Sequence, residues 1–435
     1  MSVPVQTIDS LARLSSLLPD SAALASGAFT LAGLRCGELA ETFGTPLYIY
    51  DEQTLRASAR SVLGAFSPLG ARVSFASKAC NIIAILAVLR DEGLDLDVVS
   101  EGELAAALRA GFQPRQIHLH GNCKSDAELD AAIRLGLHAI VVDNIEELER
   151  LVARIGSLEQ PVAVMLRITL PFEADTHPHL QTSGRRSKFG FYRGSAEERA
   201  AIDLLASNPG LRLTGLHTHV GSQITDIEIY GRVSRELLAL GRDLFRQGHP
   251  ISEIAIGGGW AVPNRTGDAS LAPEKLASAL GEAFAGSGFR PAIEPGRFLV
   301  SQAAVALYRI GSVKNTPTGR IVAVDGGMGD NIRPALYGAR YEVLLPERLE
   351  ATPIGPVDIA GRYCESGDFL ARAVYLPAVN AGDLIAMPFA GAYQLSMASA
   401  YNLVPPPAAV LVAGGHARLI VRRATIDDLL ACHVD

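Results

Sequence analysis

Cysteine is scarce and unpatterned in this chain. Its five cysteines, Cys36, Cys80, Cys123, Cys364 and Cys432, are odd in number and never fall in a CxxC spacing. That argues against a disulfide framework or a zinc knuckle and fits a reducing compartment. Positive charge is also short: 39 Lys and Arg stand against 46 Asp and Glu, a net charge of −7. With no basic block and no basic aromatic stripe, nucleic acid is not an expected partner. No apolar run approaches the ~18 residues of a membrane span. The start, Met1 to Thr7, has no basic stretch leading into an apolar one, so no leader is expected and a cytoplasmic location is. Internal repeats and low-complexity segments are missing as well. What is present is an ordinary globular composition, 48% hydrophobic and 20% charged over 435 residues, with material for roughly two or three domains.

From residue 72 a rhythm sets in. Apolar runs recur at 73–76, 96–99, 117–120, 139–142, 162–168, 213–219, 253–256 and 291–294, with helical-period segments between them. Ser100, Ser125 and Asp143 stand where helix N-caps belong. This alternation predicts a (β/α)₈ barrel over residues 46–297. A doubly wound open sheet is the rival, although it more often has about five or six strands. After 298 the long helices stop, and runs at 321–325, 357–360, 384–388, 410–412 and 418–421 read as strands. A second, mostly β domain is therefore expected over 298–435, with residues 1–45 packing against it.

In a barrel the chemistry gathers at the carboxyl ends of the strands. The distinctive polar residues fall there: Lys78, His120, Asn122, Arg167, His217, His219, and the segment Glu294-Pro-Gly-Arg297. Ile254-Ala-Ile-Gly-Gly-Gly-Trp260 runs from a buried strand into a turn without Cβ atoms, which suits either a phosphate cradle or a plain tight turn. Lys78 reads as an imine-forming amine or as a solvated loop lysine. Glu294 reads as the partner of a protonated ring nitrogen or as an ion-pair partner of Arg297. His217 and His219 sit two apart, which on a strand puts them on one face. With no third ligand in view, no metal is expected, and His219 reads better as a flat surface for a planar cofactor. In Tyr363-Cys-Glu-Ser-Gly-Asp368 the thiol of Cys364 is either a small buried hydrophobe or a proton donor among carboxylates. Arg333 can fork onto a carboxylate, with Tyr337 nearby in sequence and Tyr393 in a small-residue turn.

These segments together resemble the pyridoxal-phosphate-dependent decarboxylases of the alanine-racemase-like fold. The resemblance runs from about Pro46 to about Asn402 through Phe75-Ala-Ser-Lys-Ala, Asp97-Val-Val-Ser-Glu-Gly-Glu-Leu104, Gly121-Asn-Cys-Lys-Ser125, Ser187-Lys-Phe-Gly190, and the segments just described. The Arg-Pro-x-Leu-Tyr and Cys-Glu-Ser segments point to the diaminopimelate branch over the ornithine and arginine branches. The resemblance implies pyridoxal phosphate bound covalently at Lys78, a ring stacked on His219, and a ring nitrogen bonded by Glu294. It implies a phosphate held by Ser222, Gly258, Gly259, Gly296, Arg297 and Tyr393. It assigns substrate contacts to Arg297, Arg333, Tyr337, Glu365 and Tyr393, and proton donation to Cys364 in the partner subunit's site of a homodimer. The implied reaction is decarboxylation of meso-diaminopimelate to L-lysine. A related amino-acid decarboxylase, a racemase and a non-catalytic cofactor carrier are the alternatives. Departures stand at Trp260, where the family usually has a smaller aliphatic residue, and at Gln394, where it usually has glycine.

Overall fold

The computed structural model describes residues 14–156, 160–172 and 187–434. The start that was read for a leader lies outside them. The chain forms two compact units, one of residues 58–262 with 269–298, the other of residues up to 57 with 263–268 and 299–435.

The first unit is built on eight parallel strands: β1 (Arg72–Ala76), β2 (Asp95–Val98), β3 (Ile117–Leu119), β4 (Ala139–Val142), β5 (Val162–Thr169), β6 (Leu211–His217), β7 (Glu253–Ala255) and β8 (Arg290–Ile293). Each pairs with the next, and β8 pairs with β1, so the ring closes. Closure removes the edges an open doubly wound sheet would have, and the expected barrel is what forms. Parallel strands are covered on both faces, which is why they read as near-continuous apolar runs. Helices between them bury one stripe each. Glu228–Arg246, for example, buries Ile229, Val233, Leu237, Leu240 and Leu244 at helical spacing. Ala139, Val141, Met165, Ala255 and Ala292 form one packed cluster. They come from the neighbours β4 and β5 and the neighbours β7 and β8, two pairs that meet each other only across the barrel, so this alternate-residue set faces the interior.

Two of the three expected caps hold. Ser100 Oγ accepts the Glu103 N–H at 3.2 Å, and Ser125 and Glu128 cap each other reciprocally at 3.2 and 2.7 Å. The third is one residue later than expected. Asn144 Oδ1 caps the next helix through the Glu147 N–H at 2.9 Å, while Asp143 accepts the Gly190 N–H at 3.0 Å. Both residue types cap well, so composition could not choose between them.

The second unit is a mixed sheet of β9 (Ala304–Thr316), β10 (Gly319–Val324), β11 (Gly355–Ala360), β12 (Phe369–Leu376), β13 (Leu384–Pro388), β14 (Ala408–Ala413) and β15 (His416–Val421). Strand Leu47–Asp51 lies between β9 and β14, antiparallel to the first and parallel to the second, with all five residues buried. This differs from the expectation that residue 46 opens the barrel, which instead begins with residue 58. An apolar strand declares its burial but not its sheet, and these partners lie far along the chain. A small meander at Ala23–Ala25, Ala28–Leu31 and Leu34–Arg35 belongs to the same unit, where the Phe29 N–H donates to Pro346 O at 2.7 Å.

Candidate active site

Lys78 occupies a single 3₁₀ turn, Ser77–Ala79, directly after β1. Buried Ser77 pins the turn: its Oγ lies 2.7 Å from both the Asp97 carbonyl and Glu103 Oε2. Lys78 itself is exposed, and its charge is felt at His219. β6 ends at His217, so His219 lies in the loop beyond it. The shared-face reading of the two histidines therefore fails. His219 Nδ1 accepts the Gly258 N–H at 3.3 Å, whereas His217 Nε2 lies 2.9 Å from Glu294 Oε2. Burial, then the Lys78 charge, holds His219 well below the usual histidine range, so it stands as a neutral planar ring.

Glu294 follows β8, and its N–H donates to Gly257 O at 3.0 Å. Burial first, and the negative charge of Asp97 second, push its carboxyl up to about 7. It is thus poised to hold or release a proton near neutrality. His120 Nε2 stands 3.9 Å from its other oxygen, and the His120 and His217 rings meet edge to face at 4.9 Å. Burial keeps both imidazoles below their ordinary range. Donor atoms of His120, His217 and Glu294 lie within 4.8 Å of one another. This trio includes His217 but not His219, so it does not complete a ligand set for the His217–His219 pair.

The glycine turn is demanded by the chain itself. A Cβ at Gly258 would stand 2.1 Å from the Glu294 carbonyl oxygen, and one at Gly259 would stand 1.9 Å from that of Gly221. Gly257 and Gly259 also have φ of +71° and +90°. The plain tight-turn reading accounts for these residues without excluding an anion. Ser222 follows Gly221, half-buried; Gly296 is buried, and Arg297, also buried, opens the short helix Arg297–Val300. Trp260 is buried and packs on Phe298, with ring centroids 5.8 Å apart. Arg167, near the end of β5, stacks over the Phe189 ring at 4.3 Å with Asp143 3.9 Å away.

In the β unit the expected residues form two groups. Buried Arg333 donates through Nε to Tyr341 Oη at 3.1 Å. Its guanidinium lies 5.2 Å from the Tyr337 ring and 5.6 Å from the Tyr393 ring. Tyr341 had no signal in sequence, because its role is visible only once Arg333 has a direction. Tyr393 has φ of +56°, rare for a residue with a side chain. In the second group, Tyr401 Oη donates to Glu365 Oε1 at 2.6 Å, and the Cys364 N–H donates to Asn402 Oδ1 at 3.3 Å. Tyr363 and Tyr401 stack at 5.9 Å. Cys364 is exposed, so it is not a buried hydrophobe. Asp368 is structural: it accepts the N–H groups of Met328 and Tyr363 at 2.7 and 2.8 Å. Gln394 is buried, and its Oε1 accepts the Tyr48 hydroxyl at 3.0 Å. That departure is absorbed by the core of this unit.

The chain is similar to known proteins over most of its length. Residues 52–301 match the family described as pyridoxal-dependent decarboxylase, pyridoxal binding domain. Diaminopimelate decarboxylase of Bacillus subtilis (strain 168) is 41% identical over 416 residues, covering 93% of this chain and 94% of the relative. That of Mycobacterium tuberculosis (strain H37Rv) is 39% identical over 426 residues, covering 94% and 95%. Among solved structures, diaminopimelate decarboxylase from M. jannaschii in co-complex with L-lysine has a TM-score of 0.89 at 31% identity, covering 96% of this chain and 98% of that one.

The residues present suit a pyridoxal group. An exposed amine, a neutral planar imidazole and a buried carboxyl with raised proton affinity stand at the carboxyl ends of β1, β6 and β8. By identity and coverage, this chain belongs to the pyridoxal-dependent decarboxylases, among relatives that are diaminopimelate decarboxylases.

Proposed function

We propose that this chain removes carbon dioxide from the D-centre of meso-2,6-diaminopimelate and releases L-lysine, with pyridoxal phosphate as cofactor. The observation that carries the proposal is Glu294, a buried carboxyl lifted to about 7 at the end of the barrel that also presents Lys78. When bound, pyridoxal phosphate supplies an electron sink for the bond that breaks. Lys78 Nζ anchors it covalently. Glu294 holds a proton at the ring-nitrogen position, with His217 fixing the carboxyl from 2.9 Å. His219 offers a flat, uncharged face. Ser222, Gly258, Gly259, Gly296, Arg297 and Tyr393 hold the phosphate, and Arg297 and Tyr393 also meet substrate.

At the remote end of the substrate, Arg333 forks onto the second carboxylate, Tyr337 donates to it, and Glu365 meets the second ammonium. The hydrogen bond to Tyr341 supports this role for Arg333, since it fixes the guanidinium in advance. Cys364 donates the proton that replaces carbon dioxide. We assign it to the partner subunit's site of a homodimer in the cytoplasm. The names of the relatives support the substrate, and the exposed Cys364 thiol suits a group that must reach another molecule.

A product assay across diaminopimelate, lysine, ornithine and arginine tests this reading. Ornithine and lysine lack the second carboxylate, which would leave Arg333 without its partner. A preference for diaminopimelate over lysine of at least ~100-fold in kcat/KM is expected. Arg333→Ala should erase most of it while leaving cofactor absorbance intact. Equal or better turnover of ornithine, lysine or arginine would overturn the assignment.

A further inference from the structure

Lys78 and Glu294 stand at the carboxyl end of the barrel. The amino end holds a second set of inward-facing polar side chains that the proposed reaction does not use. Arg72 opens β1, Asp95 and Asp97 share the inner face of β2, His118 is on β3, His138 precedes β4, and Glu253 opens β7. His118 Nε2 lies 3.6 Å from Glu253 Oε1, and His138 Nε2 lies 3.9 Å from the same oxygen. The three donor atoms all lie within 4.8 Å of one another, and the two imidazole rings are 4.7 Å apart at 77°. His118 Nε2 and Glu253 Oε1 are buried, on residues only 4% and 6% exposed, and at 3.6 Å they face each other across a gap too long for a well-formed hydrogen bond. Buried polar atoms left so need an explanation.

We propose that His118, His138 and Glu253 form a binding site for a divalent d-block cation, zinc or cobalt in kind. Two imidazoles and one carboxylate are a donor set of that class. Bonds of about 2.0–2.1 Å in tetrahedral geometry put donors about 3.3 Å apart, so separations of 3.6 and 3.9 Å, with the third within 4.8 Å, require the donors to draw together on binding. A supporting layer stands beside the ligands. His118 Nδ1 lies 3.2 Å from Asp97 Oδ1, close enough for a small ring rotation to form the carboxylate–histidine hydrogen bond that aims a ligand imidazole. Arg72 Nε holds Glu253 Oε2 at 2.9 Å, leaving Oε1 for the metal. The His138 side chain is 27% exposed, which gives an ion a way in and leaves a fourth position for water.

Charge favours the same assignment. The carboxylates of Asp95, Asp97 and Glu253 gather around the Arg72 guanidinium, with Arg290 also acting on His138, so three negative groups lie where a cation would be received. Because the ligands sit on three chain segments, the bound ion would pin β3, the lead-in to β4, and β7 together.

The test is titration of the cofactor-loaded protein with cobalt(II) chloride, followed by visible difference absorption. The site predicts saturation at a single cobalt per chain, the strong d–d bands of four-coordinate cobalt, and displacement by zinc. His138→Asn, at a partly exposed position away from Lys78 and Glu294, should keep the cofactor absorbance and lose at least about tenfold in cobalt affinity. His118→Asn should do the same; if it fails to fold, His138→Asn decides. Zinc should raise the melting midpoint of the unmodified protein and leave that of His138→Asn unmoved. No cobalt binding, or bands that persist unchanged in His138→Asn and so arise from the exposed Cys123, Cys364 or Cys432, would overturn the proposal.

Discussion

Replacing Lys124 with methionine removes a cation from the barrel wall and leaves its anion behind. Lys124 Nζ donates to Gly121 O and Val141 O at 2.7 Å and to Glu147 Oε1 at 2.8 Å, so all three of its hydrogens are used. The side chains are 0% and 2% exposed, and exposure decides the magnitude here. Burial pushes Lys124 down and Glu147 up from their ordinary values, against the attraction between them. The pair is therefore not a large net source of stability, but neither member can be left alone. Lys124→Met should cost about 3–5 kcal/mol, the penalty for a stranded buried charge. Lys124→Met combined with Glu147→Leu should recover the charge part, leaving about 1–3 kcal/mol for the two carbonyls that lose a donor. Trp260, the only tryptophan, is buried in the barrel unit, so its fluorescence follows the unfolding of this unit in urea. With a slope of about 1–3 kcal/mol per molar urea, the single variant should shift the midpoint by more than about 1 M. A shift under a few tenths molar, or a double variant as unstable as the single one, would refute the reasoning.

Three further outcomes are expected. Lys78→Ala should lose the visible absorbance of the lysine-bound cofactor together with most turnover; wild-type turnover would remove Lys78 from its assigned role. Glu294→Gln should bind cofactor yet lose on the order of 100-fold in rate. Because its carboxyl is raised to about 7 when folded, the cofactor-free protein should lose stability as pH rises from the ordinary carboxylate range through 7, and the glutamine variant should lack that part of the slope in a series of melts. Cys364→Ala mixed with Lys78→Ala should regain part of the activity that neither has alone, since a mixed dimer contains one intact site; no recovery after demonstrated subunit exchange would place Cys364 elsewhere.

Much of the barrel was legible because its physics is local. Each strand must be apolar, each helix must bury a stripe, and the glycines at 257–259 must permit close backbone approach, all within a few residues of chain. The same locality explains what stayed hidden. Leu47–Asp51 reads as a strand from its own residues, yet only β9 and β14, hundreds of residues later, fix its sheet. Lys124 lies in a segment that carries the family resemblance, and its buried role shows only in three dimensions, where its three hydrogen bonds end inside the barrel wall. The HxH spacing at His217 and His219 drew attention to a pair that faces different partners. The converging donors of His118, His138 and Glu253 have no short spacing at all.

The pleat connects these cases. In a closed parallel barrel every second residue of each strand points inward, so Asp95 and Asp97, His118 and His120, Glu253 and Ala255, and Ala292 and Glu294 are stacked pairs along the interior. Read by alternation rather than as apolar runs, the strands spell a polar column at one side of an alanine- and valine-lined interior. Barrel interiors are normally filled by branched apolar side chains. Each charged residue in that column must be matched by another strand, since a lone buried charge is costly. His118 shows how this matching is spent: Asp97, which it approaches at 3.2 Å, also contributes the negative charge that lifts Glu294. A change at the amino end of the barrel that alters the charge on Asp97 therefore acts on the proton held at the carboxyl end. Glu294 should become more acidic in Asp97→Asn, and a lower midpoint in the pH dependence of cofactor absorbance would register it. An unchanged midpoint would mean that the two ends of the column are electrostatically independent.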